Sequence, residues 1–199
     1  MTPLLLVEDD SALRTLIAGA LSGRFRVIEA ANRPDALAAL HGAPEVAVAL
    51  IDLGLPPNPH GPSEGLALLR AIRIDGPPVK AICLTGQDQE AASLAAIQEE
   101  AFDFLAKPAP LTAIIAAIDR AVLFGRKERE LARQGIARLT ISAPLGEGLR
   151  NVRDEAEERL IRQVLQDTGF NVHAAARCLG VKRENIYYFL KKFGIARDA

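Results

Sequence analysis

Along the first 125 residues, short apolar runs alternate with amphipathic stretches. Runs of strand length stand at 3–7, 25–29, 46–51, 79–84 and 102–106, and helical spacing fills roughly 11–22, 33–41, 65–74, 88–99 and 110–125. Strand–helix units in this order predict an α/β architecture, a parallel sheet with helices on both faces. Strands covered on both sides read as apolar throughout, as "VAVALI" and "VKAICL" do. In such sheets the working residues gather at the carboxyl ends of the strands.

The alternation stops after residue 125. "RKERELARQGIARL" is charged and can extend the preceding helix. "ISAPLGEGLRN", with Pro144, Gly146 and Gly148, reads as linker. From 154 onward the pattern is helical only. Ile161, Val164, Leu165 and Thr168 share one face, Val172, Ala175, Ala176 and Leu179 a second, and Ile186, Phe189, Leu190 and Phe193 a third. Gly169 and Gly180 separate the helices. The expected organisation is a first domain over 1–125, a partly helical linker over 126–153 and a small all-α domain over 154–199.

Composition narrows the class. The chain has 199 residues and net charge −1, but residues 1–125 hold 9 basic and 15 acidic side chains, while 170–199 hold 6 and 2. A basic tail suits a polyanion, although solvated faces are often charged too. Apolar runs fall far short of the roughly 20 residues of a membrane span. No basic region precedes an apolar stretch at the N-terminus, so a cytoplasmic protein without membrane association is expected. Cys83 and Cys178 make no metal spacing and are expected as reduced, buried thiols.

The stretch "LLLVEDDS" ends its apolar run in three acids. Glu8 and Asp9 fall where the first strand ends, and adjacent carboxylates there call for an offsetting cation, most simply Mg²⁺. Alternatively, Asp10 and Ser11 serve the next helix, Ser11 as N-cap and Asp10 near the dipole, and a solvated capping loop is the ordinary reading of such acids alone. The other strand ends shift the balance. "ALIDLGLPP" places Asp52 at the same rim, "AICLTGQ" places Thr85 there, and "FDFLAKP" places Lys107 there. Carboxylates, a hydroxyl and an ammonium are what a nucleophile, a metal site and a phosphate clamp need.

"VEDD", "DLGLP", "LTG" and "KP", in order and each at a strand end, resemble the receiver domain of two-component response regulators over about residues 3–125. The Asp52–Thr85 and Thr85–Lys107 separations, 33 and 22, fit once one longer loop is allowed. The resemblance implies a five-stranded, doubly wound, flavodoxin-like fold. It implies that Asp52 accepts a phosphoryl group from a histidine kinase or phosphotransfer protein. Glu8, Asp9, Asp52 and the backbone carbonyl of Gly54 would hold Mg²⁺. Lys107 would bind a phosphoryl oxygen, and Thr85 would hydrogen-bond the new group. Phe104 would swing inward with Thr85, with plain core packing the competing reading. Gly86 stands where the family more often has Ala. "PPNPHGPSEG" lengthens the loop after Asp52, and "DLGLPPNPHGPSEGLALL" resembles receivers found with exosortase/PEP-CTERM exopolysaccharide systems. The peptide before Pro108 is open between cis and trans.

"TGFNVHAAARCLGVKRENIYYFLKKFGI" is similar to the Fis-type helix-turn-helix of nitrogen-regulatory response regulators, over about 154–196. Asn171 is placed to cap its second helix. The third would lie in a major groove of double-stranded DNA. Lys182, Arg183, Asn185, Tyr188, Lys191 and Lys192 would contact DNA there. Tyr188 and Phe189 replace basic residues of the family's "LYRKL", Phe189 falling on the apolar face, so a shallow salt dependence is expected. The 28 residues over 126–153 are too few for the ATPase module of nitrogen-type regulators, and no GxxxxGK[ST] occurs. The layout resembles short redox- or photosynthesis-type regulators. The expected function is therefore a non-enzymatic, phosphorylation-controlled, homodimeric transcription regulator that assists only its own phosphotransfer and dephosphorylation. The alternative is a phosphoacceptor adaptor or phosphate sink whose tail mediates protein contacts. A metal-dependent hydrolase using Asp52 lacks a second acid/base motif.

Overall fold

The computed structural model describes residues 1–75, 79–86, 90–141, 146 and 148–195. They divide into two compact units, Met1–Lys127 and Glu128–Ala199. The first contains strands β1 (Thr2–Val7), β2 (Phe25–Ala30), β3 (Val48–Asp52), β4 (Lys80–Thr85) and β5 (Asp103–Ala106). Between and after them come helices α1 (Ser11–Leu21), α2 (Arg33–Gly42), α3 (Ser63–Asp75), α4 (Glu90–Gln98) and α5 (Leu111–Arg133), whose residues from Glu128 onward fall in the second unit. The strands form one parallel sheet in the order β2-β1-β3-β4-β5.

Alternation along each strand sorts side chains between two cores. Leu4, Leu6, Val48, Leu50, Ile82 and Leu84 face one side and pack with Ile17, Leu21, Ile114 and Ile118 of α1 and α5. Leu5, Val7, Ala49, Ile51, Ala81 and Cys83 face the other and meet α2, α3 and α4 through residues such as Leu40, Leu68 and Ala96. Every residue of β3 is buried, which explains its unbroken apolar run. The strand order reverses at β1, with β2 on one side and β3 on the other. The crevice between the carboxyl ends of β1 and β3 is where ligands bind in sheets of this kind.

Helix ends follow local chemistry. Asn32 caps α2 by accepting from the Asp35 N–H at 2.9 Å. Ser11 is not the cap of α1. Asp10 is, because its extended backbone lets Oδ1 accept from the Ala12 and Leu13 N–H groups at 2.8 and 3.0 Å. The charged run does extend α5, as far as Arg133, after which Ile136 N–H bonds back to the Leu131 carbonyl. Pro144 lies outside the described residues.

The second unit contains α6 (Leu149–Asp167), α7 (Val172–Leu179) and α8 (Arg183–Lys192). Ile161, Leu165, Ala175, Ala176, Ile186 and Ile195 form its buried centre, with Val164, Leu179, Phe189, Leu190 and Phe193 packed around them. Asn171 caps α7 through the His173 and Ala174 N–H groups, both at 3.1 Å. Gly180 ends α7 with φ +65°, a left-handed conformation that costs glycine little and starts the turn into α8. Cys83 is buried, and burial pushes its thiol up to about 12. Cys178 is exposed, contrary to the expectation of two buried thiols, because it lies on the face of α7 away from that centre.

Candidate active site and nucleic-acid interface

Backbone pairing brings the strand-end residues together. Val7 pairs with Ile51, Asp52 with Leu84, and Thr85 with Ala106, so the segments carrying Glu8, Asp52, Thr85 and Lys107 end at neighbouring positions along one rim. Glu8, Asp52 and Thr85 are buried polar residues, Glu8 only 1% exposed. Carboxylate oxygens of Glu8, Asp9 and Asp52 lie within 4.8 Å of one another. The Lys107 Nζ reaches into this cluster and donates to Glu8 Oε2 and Asp52 Oδ2, each at 2.8 Å. Glu8, Asp9, Asp52 and Lys107 are therefore brought together, and Thr85 ends the neighbouring strand. The Lys107–Pro108 peptide is cis, as is Pro56–Pro57.

Burial pushes the Glu8 carboxyl above the usual range, the nearby Asp52 charge adds to this, and Lys107 opposes it. Burial works against the Lys107 charge, but hydrogen bonds to Asp52 and Glu8 outweigh it and raise the ammonium's pKa. Asp10 is held below the ordinary range by the N–H groups of Leu13 and Ala12. One ammonium thus serves two carboxylates while a third stands beside them. Such a set of hard oxygen donors fits a divalent cation of the magnesium type.

Two features went unread in the sequence. Arg14, one turn into α1, donates from Nη1 to the Glu8 and Asp9 carbonyls at 2.6 and 3.3 Å and holds that loop in place. A basic residue one turn past the acids was the available signal. The extended loop after Asp52 folds back through successive turns, Asn58 N–H to Leu55 and Gly61 N–H to Asn58. A Cβ on Gly54 would stand 2.5 Å from the Pro59 carbonyl oxygen, so only glycine fits this approach. The Gly54 N–H donates to Asp52 Oδ1 at 3.1 Å and orients the carboxylate. Phe104 is not in the core. It is 42% exposed, while Thr85 is buried.

In the second unit, Lys182, Arg183, Asn185 and Lys191 are exposed, and Tyr188 is 62% exposed. Lys182 occupies the N-cap position of α8. Arg183 Nη1 lies 3.3 Å from His173 Nε2. Lys192 bends onto α6, where it meets Asp154 at 2.6 Å and Glu157 at 3.1 Å. Phe189 packs inward and stacks on Phe193 at 6.1 Å.

Residues 4–119 match the response regulator receiver domain. The chain belongs to the response regulator receiver family. Residues 152–193 match the bacterial regulatory protein, Fis family, so the receiver is followed by a Fis-type helix-turn-helix. The DNA-binding transcriptional regulator NtrC of Proteus hauseri is 31% identical over 128 residues, 63% of this chain and 25% of that protein. The photosynthetic apparatus regulatory protein RegA of Rhodobacter capsulatus is 35% identical over 115 residues, 58% of this chain and 60% of that one. NtrX from Brucella abortus, solved with ADP, superposes with a TM-score of 0.59 at 26% identity, covering 80% of this chain and 35% of its own. The chain spans about a quarter of the length of the NtrC relatives. No helix among the described residues is long and apolar enough to cross a membrane.

Proposed function

We propose that the protein is a phosphorylation-controlled transcription regulator. Its receiver takes a phosphoryl group on Asp52 from a histidine kinase or phosphotransfer protein, and its helix-turn-helix binds double-stranded DNA. The observation that carries this reading is the Lys107 ammonium, 2.8 Å from both Asp52 Oδ2 and Glu8 Oε2.

The Asp52 carboxylate attacks the phosphorus of a phosphohistidine. The O–P bond forms as the N–P bond breaks, and the departing imidazole keeps the electron pair and takes a proton from solvent. The Gly54 N–H orients the nucleophile. Lys107 follows the charge from the carboxylate to a phosphoryl oxygen, which costs little because its ammonium already stands there. Glu8, Asp9, Asp52 and the Gly54 carbonyl would hold Mg²⁺, which offsets the repulsion between the carboxylates and the incoming phosphoryl group. The Thr85 hydroxyl donates to the new phosphoryl group, and Phe104, now outward, takes the inward position that Thr85 leaves.

Leu94 and Ile97 of α4, Phe104 of β5, and Leu111 and Leu123 of α5 are all exposed. Phosphorylation shifts this surface toward pairing with a second copy, which sets two recognition helices about one DNA turn apart. Incubation with acetyl phosphate and Mg²⁺ should give one acyl phosphate per chain. Asp52→Ala should give none, and phosphate retained by that variant refutes the assignment.

The exposed Tyr187 and Tyr188, with Lys192 neutralised on α6, favour a second reading, an adaptor whose tail binds protein. Titration against random duplex DNA separates the two, since absence of binding at low salt supports the adaptor.

A further inference from the structure

The start of the recognition helix carries an arrangement that links α7 to α8. Arg183 is the first residue of α8, and His173 is the second of α7. Arginine can only donate, so a hydrogen bond at the 3.3 Å contact has His173 Nε2 accepting from Nη1. The Arg183 guanidinium also lies over the Tyr187 ring, 5.9 Å from its centroid. The backbone of His173 is itself fixed, because its N–H donates to the Asn171 side chain that caps α7. The guanidinium is therefore held on two sides, while Nε and Nη2 stay available as a planar fork. The contact runs between two exposed residues and adds nothing to the buried centre of the unit.

We infer that His173 is a positioning residue for sequence readout: it orients Arg183 to take a guanine in the major groove of DNA. Resting on the DNA-binding reading above, this names the base pair and the residue that sets its selection. A guanidinium fork matches guanine O6 and N7, the commonest specific contact in the major groove. A free arginine side chain loses rotamer freedom when it makes that contact. One already held by His173 and Tyr187 has less to lose.

The test is selection of binding sites from a random duplex pool by the full chain, followed by affinity measurements on the selected site and on random duplex. Wild type should select a guanine at one position of each half-site. Arg183→Ala should lower that preference about 5- to 150-fold, the range for one bidentate base contact. His173→Ala should lower it about 2- to 10-fold, the worth of one hydrogen bond, with affinity for random duplex unchanged. His173→Gln, whose amide oxygen can accept, should retain the preference. In an Arg183→Ala background, His173→Ala should have no further effect. Three results overturn the inference: guanine preference intact in His173→Ala, an equal loss on every sequence, or an effect that persists without Arg183. Failure of the wild type to bind any duplex at low salt removes the DNA-binding reading itself, a result distinct from those three.

Discussion

Lys107 settles how the receiver rim is balanced. Its ammonium stands between Glu8, nearly inaccessible to water, and Asp52, and keeps 27% of its own side chain exposed. Removing one partner of a fully buried ion pair costs about 3–5 kcal/mol. In Lys107→Ala the loss should be smaller, about 2 kcal/mol, because the rim admits water and the carboxylates can bind protons or cations. Urea denaturation checks this. A further consequence separates a cation site from a purely structural ion pair. If the cluster holds Mg²⁺, the Lys107 ammonium and the cation would compete for the same oxygens in the wild type. Millimolar Mg²⁺ should therefore raise the Tm of Lys107→Ala more than that of the wild type, by the linkage between binding and folding. If Mg²⁺ moves neither Tm, the carboxylate cluster is not a divalent site.

At the scale of elements, capping and helix charge set local stability, and one helix ends badly. Asp167 closes α6 with a negative charge, where the helix dipole favours a positive one. Burial raises its pKa. A raised carboxyl pKa means that the folded state holds the proton more tightly. The stabilising contribution is complete below the ordinary carboxylate range and is lost as pH rises through the folded value. At pH 7 ionised Asp167 therefore costs stability. Asp167→Asn should stabilise the helix-turn-helix by about 0.3–1 kcal/mol after screening by solvent. The gain should vanish near pH 3, and a pH series of thermal melts reads it. Most elements were legible in the chain. Strand residues alternate between two cores, and the apolar runs marking them lie within two residues of the observed strands. The rim was legible too, because Glu8, Asp52, Thr85 and Lys107 fall at strand ends whatever the details of packing. Contacts decided by atomic reach were not. Asp10 and Ser11 are both competent caps, and only backbone geometry selects Asp10. The approach of Pro59 to Gly54 depends on the path of a loop that no periodicity encodes. Lys192 looked available for DNA because its partners, Asp154 and Glu157, lie 38 and 35 residues away in the chain.

For the molecule as a whole, the pairing of Lys192 controls how DNA affinity should respond to salt. Each phosphate neutralised contributes about −0.9 to the slope of log K against log salt. Of the cations on α8 and its cap, Lys182 and Lys191 are exposed, Arg183 is the one assigned above to a base rather than a phosphate, and Lys192 is held by two carboxylates. One tail should therefore show a slope of about −2, shallow for a helix-turn-helix. Replacing both acids, Asp154→Asn with Glu157→Gln, frees Lys192 and should steepen the slope by about 1 per tail. Under the proposed pairing, phosphorylation would act through copy number. If acyl phosphate on Asp52 pairs two chains, two tails meet the same duplex and the slope should double, to about −4. Asp52→Ala treated with the same phosphodonor should stay near −2. Fluorescence anisotropy on a two-half-site duplex from 50 to 300 mM salt, with and without acetyl phosphate, measures all of these slopes. A doubled slope that depends on Asp52 ties receiver chemistry to DNA engagement through pairing. A slope unchanged by phosphorylation, with affinity raised, would instead assign control to release of a tail already competent to bind as a single copy.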